Sequence, residues 1–463
     1  MYKSKFILVL MIALSLVWVT ACSKTNGPVN SESPSGTAQQ STSSPETTPS
    51  DEPKEPEINM NGEKLTILTL AAPPQEDTPI GAMQLKRWKE VEKKYKVKID
   101  WVQVPWGEAI NMVTNAALSG DAVADFVMID YYQAIPAIKQ GLFMPLDDFF
   151  DFNDPKWPKK MKDWSYFDGH YYNVVDNYFN SSGLFYNKTM LQREGLPDPH
   201  DLVEKGEWTW ETFLNLAKQV TKDTNSDGVT DQWAITSSLG PMLRTIVYSN
   251  GGSFIQEKDG KYVFAHDDAK TMEAIQFFSD LFNTHKVAAP PQGDPFDYVY
   301  YADAQTRFNT GKSAFVVGDI WEGSTRADMT DEQGFIYFPK GPQRTDSWQG
   351  SITNYGGFYM PASVQRAKEK AKIWEEMQLW DQVASSNRAA AENQLLADEK
   401  DIEVMLDSLN HTEVVYAMTG TEHDIFWNIA NPIVTGGDSP ETAIEKIRQT
   451  TQDAIDQVYN TAP

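Results

Sequence analysis

The sequence has 463 residues, of which 40 are Lys or Arg and 65 are Asp or Glu, so its formal net charge is −25 at pH 7. A surface this acidic disfavours nucleic acid and anionic lipid head groups as general partners, although a local pocket can have either polarity. Hydrophobic residues make up 41% of the chain, which is enough to build full-sized cores.

The N-terminal segment has the pattern of an export signal. Lys3 and Lys5 precede an uncharged apolar run from Phe6 to Val19, which ends at Thr20-Ala21-Cys22. An apolar run of this length is too short to span a bilayer as a mature helix. We therefore interpret residues 1–21 as a signal peptide and expect the chain to be exported.

Cys22 is the only cysteine of the sequence, so no internal disulfide can form. Val19-Thr20-Ala21-Cys22 resembles the lipobox of bacterial lipoproteins, in which two acyl chains on the cysteine supply stable anchoring. The alternative is ordinary cleavage that leaves an incidental thiol. We expect lipidation of Cys22 and a Gram-positive-type lipoprotein on the extracellular face of the cell membrane. Residues 22–62 are rich in Ser, Thr, Pro and acids, and we expect a disordered tether there.

Strands and helices alternate along the next part of the chain. The predicted strands are KLTILTLA, KVKIDWVQV and ADFVMID, and helical spacing lies between them and again over residues 134–140. Strands separated by helices of this length predict right-handed βαβ units on a parallel sheet. Ligands of such sheets bind beyond the carboxyl ends of the strands.

The later half of the chain begins with an extended stretch, HYYNVVDNYFNSSGLFYNK, that could cross from one lobe to another. A helix is predicted after Trp208-Thr209-Trp210-Glu211, a hairpin at Asp259-Gly260, and a second helix over residues 268–284. SAFVVGD and ITNYGGFYMPA read as strands, with a short helix after Trp321 and FIYFPKGP as a return crossing. The remainder from Ala367 is mostly helical.

The order of these segments resembles the extracellular solute-binding proteins of bacterial ABC importers, family 1, the group that contains maltose-binding protein. The resemblance extends over nearly all of the mature chain. It is carried by LSGDAVADFVMID with AIKQGLFMPLDDF, GLFYNKTMLQREGLPDP with WTWETFLNLAKQVT, YSNGGSFI, FNTGKSAFVVGDIW, NYGGFYMPASVQRAKEKA and SPETAIEKIRQ.

This resemblance implies an α/β, two-lobe, type II periplasmic-binding-protein-like fold, in which each lobe is a sheet sandwich and hinge strands join the lobes. It places lobe one at 63–180 plus 342–388 and lobe two at 181–341 plus 389–463. A ligand would bind between the lobes, and closure would present the shape that the permease subunits of an ABC transporter recognise. We expect a monomer that carries a carbohydrate, in most family members of this type an oligosaccharide.

The predicted ligand-binding residues are aromatic or acidic, since a sugar offers C–H faces to aromatic rings and hydroxyls to carboxylates. Asp130-Tyr131-Tyr132 ends the strand ADFVMID and Trp321 follows SAFVVGD, and both match cleft positions of the family. Burial in a core is the alternative for each aromatic residue. Further candidates at strand ends or in the late helical region are Glu76, Trp106, Tyr355 and Trp427.

Residues 223–231 have the spacing of an EF-hand calcium loop. Oxygen-bearing side chains stand at positions 1, 3, 5 and 9 and the main-chain carbonyl of position 7 is available, which gives Asp223, Asn225, Asp227, Asp231 and Val229 as the ligands. Position 12 is Ala234 instead of glutamate, so we expect a structural Ca²⁺ of reduced affinity. The alternative is a solvated Asn/Asp turn.

The sequence has no HExxH, GxSxG or Walker A motif, and its six histidines show no metal spacing. Three alternatives to a sugar-binding transport protein stay open. They are a secreted carbohydrate-active enzyme such as a glycosidase or polysaccharide lyase, a binder of a peptide or polyamine, and a partner of a sensor. We expect no enzymatic activity.

Overall fold

The structure is a computed structural model that describes residues 58–105, 107–157, 165–175, 180–294, 297–352, 356–414 and 425–460. The signal peptide and residues 22–57 of the predicted tether lie outside these residues. Residues 58–62, which were predicted to be part of the disordered tether, pack against lobe one, where Met60 is fully buried. The strands are β1 Lys64–Thr69, β2 Lys98–Gln103, β3 Phe126–Asp130, β4 Tyr166–Phe167, β5 His170–Tyr171, β6 Asn173–Val174, β7 Ser182–Asn187, β8 Trp233–Thr236, β9 Ile255–Lys258, β10 Lys261–Phe264, β11 Ser313–Asp319, β12 Gln333–Ile336, β13 Gly350–Ile352, β14 Gly356–Tyr359 and β15 Thr412–Val414.

The α-helices follow the same numbering along the chain. They are α1 Pro79–Tyr95, α2 Glu108–Ser119, α3 Tyr131–Lys139, α4 Lys188–Arg193, α5 Pro199–Glu204, α6 Trp210–Val220, α7 Leu239–Ser249, α8 Ala269–Asn283, α9 Asp297–Asn309, α10 Ala367–Glu376, α11 Val383–Glu392, α12 Glu399–Ser408 and α13 Pro440–Ile455. Short 3₁₀ or π-helical turns occupy Ile320–Arg326, Trp380–Gln382, Leu409–His411, Ile425–Ala430, Pro432–Gly436 and Asp456–Asn460.

The first main sheet has the strand order β2-β1-β3-β14-β6. β1 runs parallel to both β2 and β3, as the βαβ pattern predicts, whereas β14 is antiparallel to β3 and to β6. The predicted parallel pairing is therefore confirmed for β1, β2 and β3, and β14, whose direction the sequence did not predict, makes the sheet mixed. β14 enters after the chain has visited the second sheet, so no crossover helix fixes its direction. We call this sheet and its helices lobe one.

Lobe one is buried on both faces of its sheet. Leu65 and Ile67 pack in one hydrophobic cluster with Trp374 of α10, while Leu68 packs with Val127 in a second cluster. Successive side chains of a strand point to opposite faces, so a strand covered on both sides needs a nearly continuous apolar run. This requirement explains why the alternation in KLTILTLA breaks at Ile67 and Leu68, consecutive apolar residues that are buried on opposite faces.

The second main sheet has the order β12-β7-β11-β8, and we call it and its helices lobe two. β11 is parallel to β8 and antiparallel to β7, so this sheet is also mixed. Phe315 and Val316 are both fully buried and point into different clusters. Each such side chain contributes about 1.5–3 kcal/mol to stability through the apolar surface it removes from water.

Local signals place the helices and the hairpin of lobe two correctly. Thr209 caps α6 by accepting a hydrogen bond from the backbone N–H of Thr212, and the buried face of α6 includes Trp210, whose ring stacks on Phe277 at 4.1 Å. β9 and β10 form the predicted antiparallel hairpin. Asp259 and Gly260 have φ values of 54° and 73°, the left-handed conformation that a two-residue type I′ turn requires.

Two crossing segments are more divided than the sequence predicts. HYYNVVDNYFNSSGLFYNK contains the three strands β5, β6 and β7. The strand predicted at ITNYGGFYMPA starts at the last residue of β13 and contains β14, with residues 353–355 outside the described part. The two main sheets fall within the ranges predicted for the two lobes. The boundaries themselves stay a prediction, and the one at residue 388 lies inside α11. Within the described residues, no helix is both long and apolar enough to cross a membrane.

Candidate functional site

The candidate site begins at the carboxyl edge of the lobe-one sheet. β1 ends at Thr69 and β3 ends at Asp130, and both residues are buried. Because β14 is antiparallel to β3, its first residue Gly356 stands opposite Asp130. A hydroxyl, a carboxylate and a residue without a side chain therefore meet at this edge.

The corresponding edge of lobe two also has small polar residues. β11 ends at Asp319, and antiparallel β7 places Ser182 opposite it. The parallel neighbour β8 is followed directly by Ser237 and Ser238, which are buried and lead into α7. These serines were not among the predicted ligand residues, although their position directly after the apolar strand WAIT was an available signal.

Trp321 lies immediately after this edge, with 49% of its surface exposed. It belongs to the 3₁₀ turn Ile320–Arg326, where its neighbour Ile320 is fully buried and donates its backbone N–H to the carbonyl oxygen of Ser181 at 2.9 Å. The backbone that carries Trp321 is thus fixed to the start of β7, while the indole remains open to solvent. This arrangement leaves the indole accessible to a ligand, and its stacking role stays a prediction.

A buried polar network supports the turn under Trp321. Glu322 accepts hydrogen bonds from the Asp319 backbone N–H at 2.9 Å, from Gln305 Nε2 at 2.6 Å and from Arg326 Nη2 at 3.2 Å. The Arg326 guanidinium lies over the Phe185 ring, 4.2 Å from its centroid. Burial raises the pKa of Glu322 to about 7, against the opposing charge of Arg326. Because both carboxylate oxygens of Glu322 accept hydrogen bonds, this network holds the turn Ile320–Arg326 in one conformation.

The remaining predicted ligand residues have different surroundings. Tyr131 is buried in the lobe-one core, and this burial raises the pKa of its hydroxyl. Glu76 is exposed and pairs with Lys89 of α1 at 2.9 Å. Trp427 is partly buried and meets the Phe426 ring edge-on at 4.8 Å.

Three other predicted ligand residues lie wholly or partly outside the described residues. Tyr132 is the second residue of α3, but its side chain lies outside the described residues, as do Trp106 and Tyr355 altogether. The structure thus puts Asp130 and Trp321 at the carboxyl edges of the two sheets. The set of eight ligand-binding residues stays a prediction.

The calcium-type loop has its acceptor oxygens turned onto its own backbone. The Asp223 carboxylate accepts hydrogen bonds from the backbone N–H groups of Asn225 at 3.2 Å, Ser226 at 2.6 Å and Gly228 at 2.7 Å. Gly228 has a φ of 89°, which explains the glycine at position 6. Asp227 in turn accepts from the Val229 backbone N–H at 2.8 Å.

The other end of the loop folds back onto its start. Asp231 accepts hydrogen bonds from the Thr224 backbone N–H and from Asn225 Nδ2, each at 2.9 Å, and the bonds from Thr224 lower the pKa of Asp231. Lys222 and Gln232 form an antiparallel bridge that closes the loop. The loop precedes the amino end of β8, so it lies at the opposite end of that strand from Ser237.

The loop residues suit a hard cation by their chemistry, because every side-chain donor at positions 1, 3, 5 and 9 offers oxygen. Ala234 at position 12 is buried in β8 and supplies no ligand. Among described residues, the one group of three His, Cys, Asp or Glu whose ligand atoms lie within 4.8 Å of one another is elsewhere, at His200, Asp398 and Asp401. The carboxylate oxygens of Asp223, Asp227 and Asp231 therefore do not all lie within 4.8 Å of one another.

The group at His200 is better explained as an ion-pair network than as a metal site. Asp401 is fully buried and accepts hydrogen bonds from His200 Nε2 at 2.8 Å, Tyr186 at 3.2 Å and Lys188 at 2.9 Å. Lys188 also pairs with Asp398. Its ammonium group pairs with both carboxylates and so neutralises the charge that would otherwise attract a cation, and these residues connect α4, α5 and α12 structurally.

Comparisons with known proteins agree on one family. The family model described as bacterial extracellular solute-binding protein matches residues 72–375. The arabinooligosaccharide-binding protein of Bacillus subtilis is 24% identical over 255 residues, which is 54% of each chain. The chain thus spans about half the length of the curated relatives it matches, 54% and 56% for two of them.

Solved structures share the fold over a larger part of the chain. A Listeria monocytogenes ABC substrate-binding protein in complex with cycloalternan has a TM-score of 0.62 at 19% identity, covering 86% of this chain and 98% of that one. The GacH receptor of Streptomyces glaucescens, solved unliganded and with acarbose, has a TM-score of 0.64 at 18% identity, covering 87% and 100%. The fold is the α/β, type II periplasmic-binding-protein-like fold predicted from the sequence.

Proposed function

The chain belongs to the family of bacterial extracellular solute-binding proteins, and on that premise we propose that it captures an oligosaccharide and delivers it to the permease subunits of an ABC importer. The observation that carries the choice of ligand is the half-exposed indole of Trp321 beside the polar carboxyl edge of the lobe-two sheet. The arabinooligosaccharide-binding relative supports the same class of ligand.

The chemistry of these two edges suits a neutral, hydroxyl-rich ligand. An indole offers a flat apolar face to the C–H groups of a sugar ring, while carboxylates and serine hydroxyls accept or donate hydrogen bonds to its hydroxyls. Asp130 and Asp319 supply carboxylates at the two edges, and Ser237 and Ser238 supply hydroxyls. Acids at both edges disfavour an anionic ligand.

The proposal makes the protein a carrier that releases its ligand unchanged. A glycosidase would need a pair of carboxyl groups about 5–10 Å apart around one glycosidic bond. Here Asp130 and Asp319 end strands of different lobes, and Glu322 is held in a buried network beneath the surface. A carbohydrate-active enzyme and a binder of peptides or polyamines are outcomes that the following experiment distinguishes.

A thermal-shift screen tests this function. The purified protein is melted with arabino-oligosaccharides, malto-oligosaccharides, monosaccharides, short peptides and polyamines, each at the same concentration. A ligand at 100 times its Kd stabilises the folded state by about 2.7 kcal/mol, which is a readily measured shift. We expect an oligosaccharide to give the largest shift. A larger shift with a peptide or polyamine would refute the ligand class, and shortened glycans after incubation would indicate an enzyme.

We further propose that Cys22 carries the lipid and holds the protein at the extracellular face of the membrane. The support is the apolar run ending at Cys22 together with the polar composition of residues 23–57. A chain of about 36 residues has a root-mean-square span of roughly 30–36 Å, enough to keep the folded part near a permease. We propose that it acts there as a monomer.

We also propose that the loop at 223–231 binds Ca²⁺ for structure. The support is its oxygen donor set of Asp223, Asn225, Asp227 and Asp231, with the Val229 carbonyl at position 7. Three carboxylates within nine residues repel one another, and a divalent cation would relieve that repulsion. Without a glutamate at position 12, affinity should lie near the ~10⁻⁴–10⁻³ M of extracellular modules.

A further inference from the structure

One segment of lobe one is basic, although the chain as a whole is acidic. Residues 83–98, which cover most of α1 and the start of β2, contain seven Lys or Arg and two Glu, whereas the whole chain has a net charge of −25. Lys86, Lys89 and Lys93 line a single surface groove along α1, together with Glu76 and Glu90. The spacing of the three lysines by three and four residues places them on one side of the helix.

Some of these cations are compensated by acids and others are not. Lys89 pairs with Glu76 at 2.9 Å, and Lys94 pairs with Glu376 at 2.6 Å. Arg87 binds Asp381 at 2.6 Å and lies 3.9 Å from Glu90. Four exposed lysines have no acidic partner within 4.0 Å among the residues that the structure describes. We call these four the α1 basic face: Lys86, Lys93, Lys96 and Lys98.

The N-terminal segment joins the folded part beside this face. The described chain starts at Ile58, and two residues later the Met60 backbone N–H donates to the Tyr95 carbonyl oxygen at 2.8 Å. The Gly62 N–H then donates to the carbonyl oxygen of Lys96 at 2.7 Å. Residues 23–57 therefore connect Cys22 to a point next to the end of α1.

We propose that the α1 basic face contacts the anionic lipid surface to which the chain is anchored. This inference rests on the proposed lipidation of Cys22, since the tether brings the nearest face of the protein to the membrane. Each lysine near an anionic surface strengthens binding by about fivefold. The same surface repels the acidic remainder, so the contact orients the protein as well as holding it.

Because the lipid on Cys22 would already hold the protein at the membrane, even a weak contact between the α1 basic face and the lipid surface would be enough to dock it. The tether that the composition of residues 23–57 predicts would give an effective concentration in the millimolar range, so an intrinsic Kd of that order would already populate the docked state. The contact depends on salt, because the Debye length falls from ~10 Å at 0.1 M to ~3 Å at 1 M ionic strength. A docked protein would release its face at high salt while remaining attached through its lipid.

Co-sedimentation with vesicles tests the proposal without the anchor. The mature chain, residues 22–463 carrying Cys22→Ala, is mixed with phosphatidylcholine vesicles that contain 30% phosphatidylglycerol, and with pure phosphatidylcholine vesicles. The test variant adds Lys86→Gln, Lys93→Gln and Lys96→Gln. The control variant adds Lys205→Gln, Lys218→Gln and Lys258→Gln, which remove the same charge from exposed lysines of lobe two.

We expect binding to the anionic vesicles alone, loss of at least tenfold in the test variant, and little change in the control. Equal loss in both variants would overturn the proposal, as would no binding of the Cys22→Ala chain at 50 mM salt and millimolar anionic lipid, the concentration range in which the intrinsic contact is expected to form. Stronger binding to a soluble polyanion than to vesicles would also overturn it. Sugar binding is measured on the same variants, so failure of the lipid contact with intact sugar binding refutes this inference and leaves the proposed function standing.

Discussion

Replacing Trp321 by alanine tests whether its indole is the stacking face of the ligand site. Its exposed fraction is 49%, and a tryptophan side chain buries at most about 250 Å². A ligand can therefore cover roughly 120 Å² of it, and at about 25 cal/mol/Å² this contact is worth at most about 3 kcal/mol. We expect Trp321→Ala to weaken oligosaccharide binding by about 1–3 kcal/mol, or roughly 5- to 150-fold in Kd.

The free energy of unfolding without ligand should change much less than it would at a core tryptophan. Trp208 is fully buried, and its replacement by alanine should cost about 3–5 kcal/mol. Trp321 has one side open to solvent, so its removal leaves no closed cavity. Trp321→Phe keeps a smaller flat ring, and we expect its Kd to lie between those of the parent and the alanine variant.

Isothermal titration calorimetry with the best sugar of the thermal-shift panel measures the affinity, and urea unfolding measures the stability. Tyr166 is a matched control, because its exposed fraction is also 49% and it lies in the small β4–β5 sheet, apart from both main sheets. Tyr166→Ala should leave the Kd unchanged. The stacking role of Trp321 would be refuted if Trp321→Ala bound sugar as tightly as the parent, or if its free energy of unfolding fell as far as that of Trp208→Ala.

Three further predictions follow from other parts of the chain. Burial lowers the pKa of His266 to about 3, so between pH 7 and pH 5 the unfolded state gains a proton that the folded state does not, and stability should fall by about 2 kcal/mol. His266→Phe should lose that part of the pH dependence in urea unfolding, and an unchanged slope would contradict the assignment. Chelation should lower the melting temperature of the parent but not of Asp223→Ala; identical melting curves with calcium and with chelator would argue against the metal. Cys22→Ala should move the protein from the membrane fraction into the medium, and retention in the membrane would disprove lipidation.

The elements that could be predicted are those with local signals. The cap of α6 at Thr209 and the turn at Asp259-Gly260 depend on neighbouring residues, and the structure confirms both. The antiparallel direction of β14 depends on a chain crossing of many residues, so no local pattern could give it. The contact between Asp401 and His200 joins residues 201 positions apart and is likewise invisible in the sequence.

The residues of the candidate site also divide into those that a local sequence signal located and those that it could not. The rule that ligands bind beyond strand ends located Asp130 and Trp321, and the structure places both at sheet edges. The rule could not decide between the consecutive residues Asp130, Tyr131 and Tyr132, because α3 begins there and successive helical side chains point about 100° apart. Tyr131 points into the core as a result.

Equilibrium binding followed by recovery of the ligand tests the central claim most directly. The purified protein is saturated with the best oligosaccharide of the panel and freed of excess ligand. The protein is then unfolded, and the released sugar is quantified and its mass determined. If the protein carries an oligosaccharide, we expect to recover about one molecule of intact sugar for each chain. Recovery of shortened or unsaturated sugar, or the absence of any bound oligosaccharide while a peptide or polyamine binds, would contradict this account.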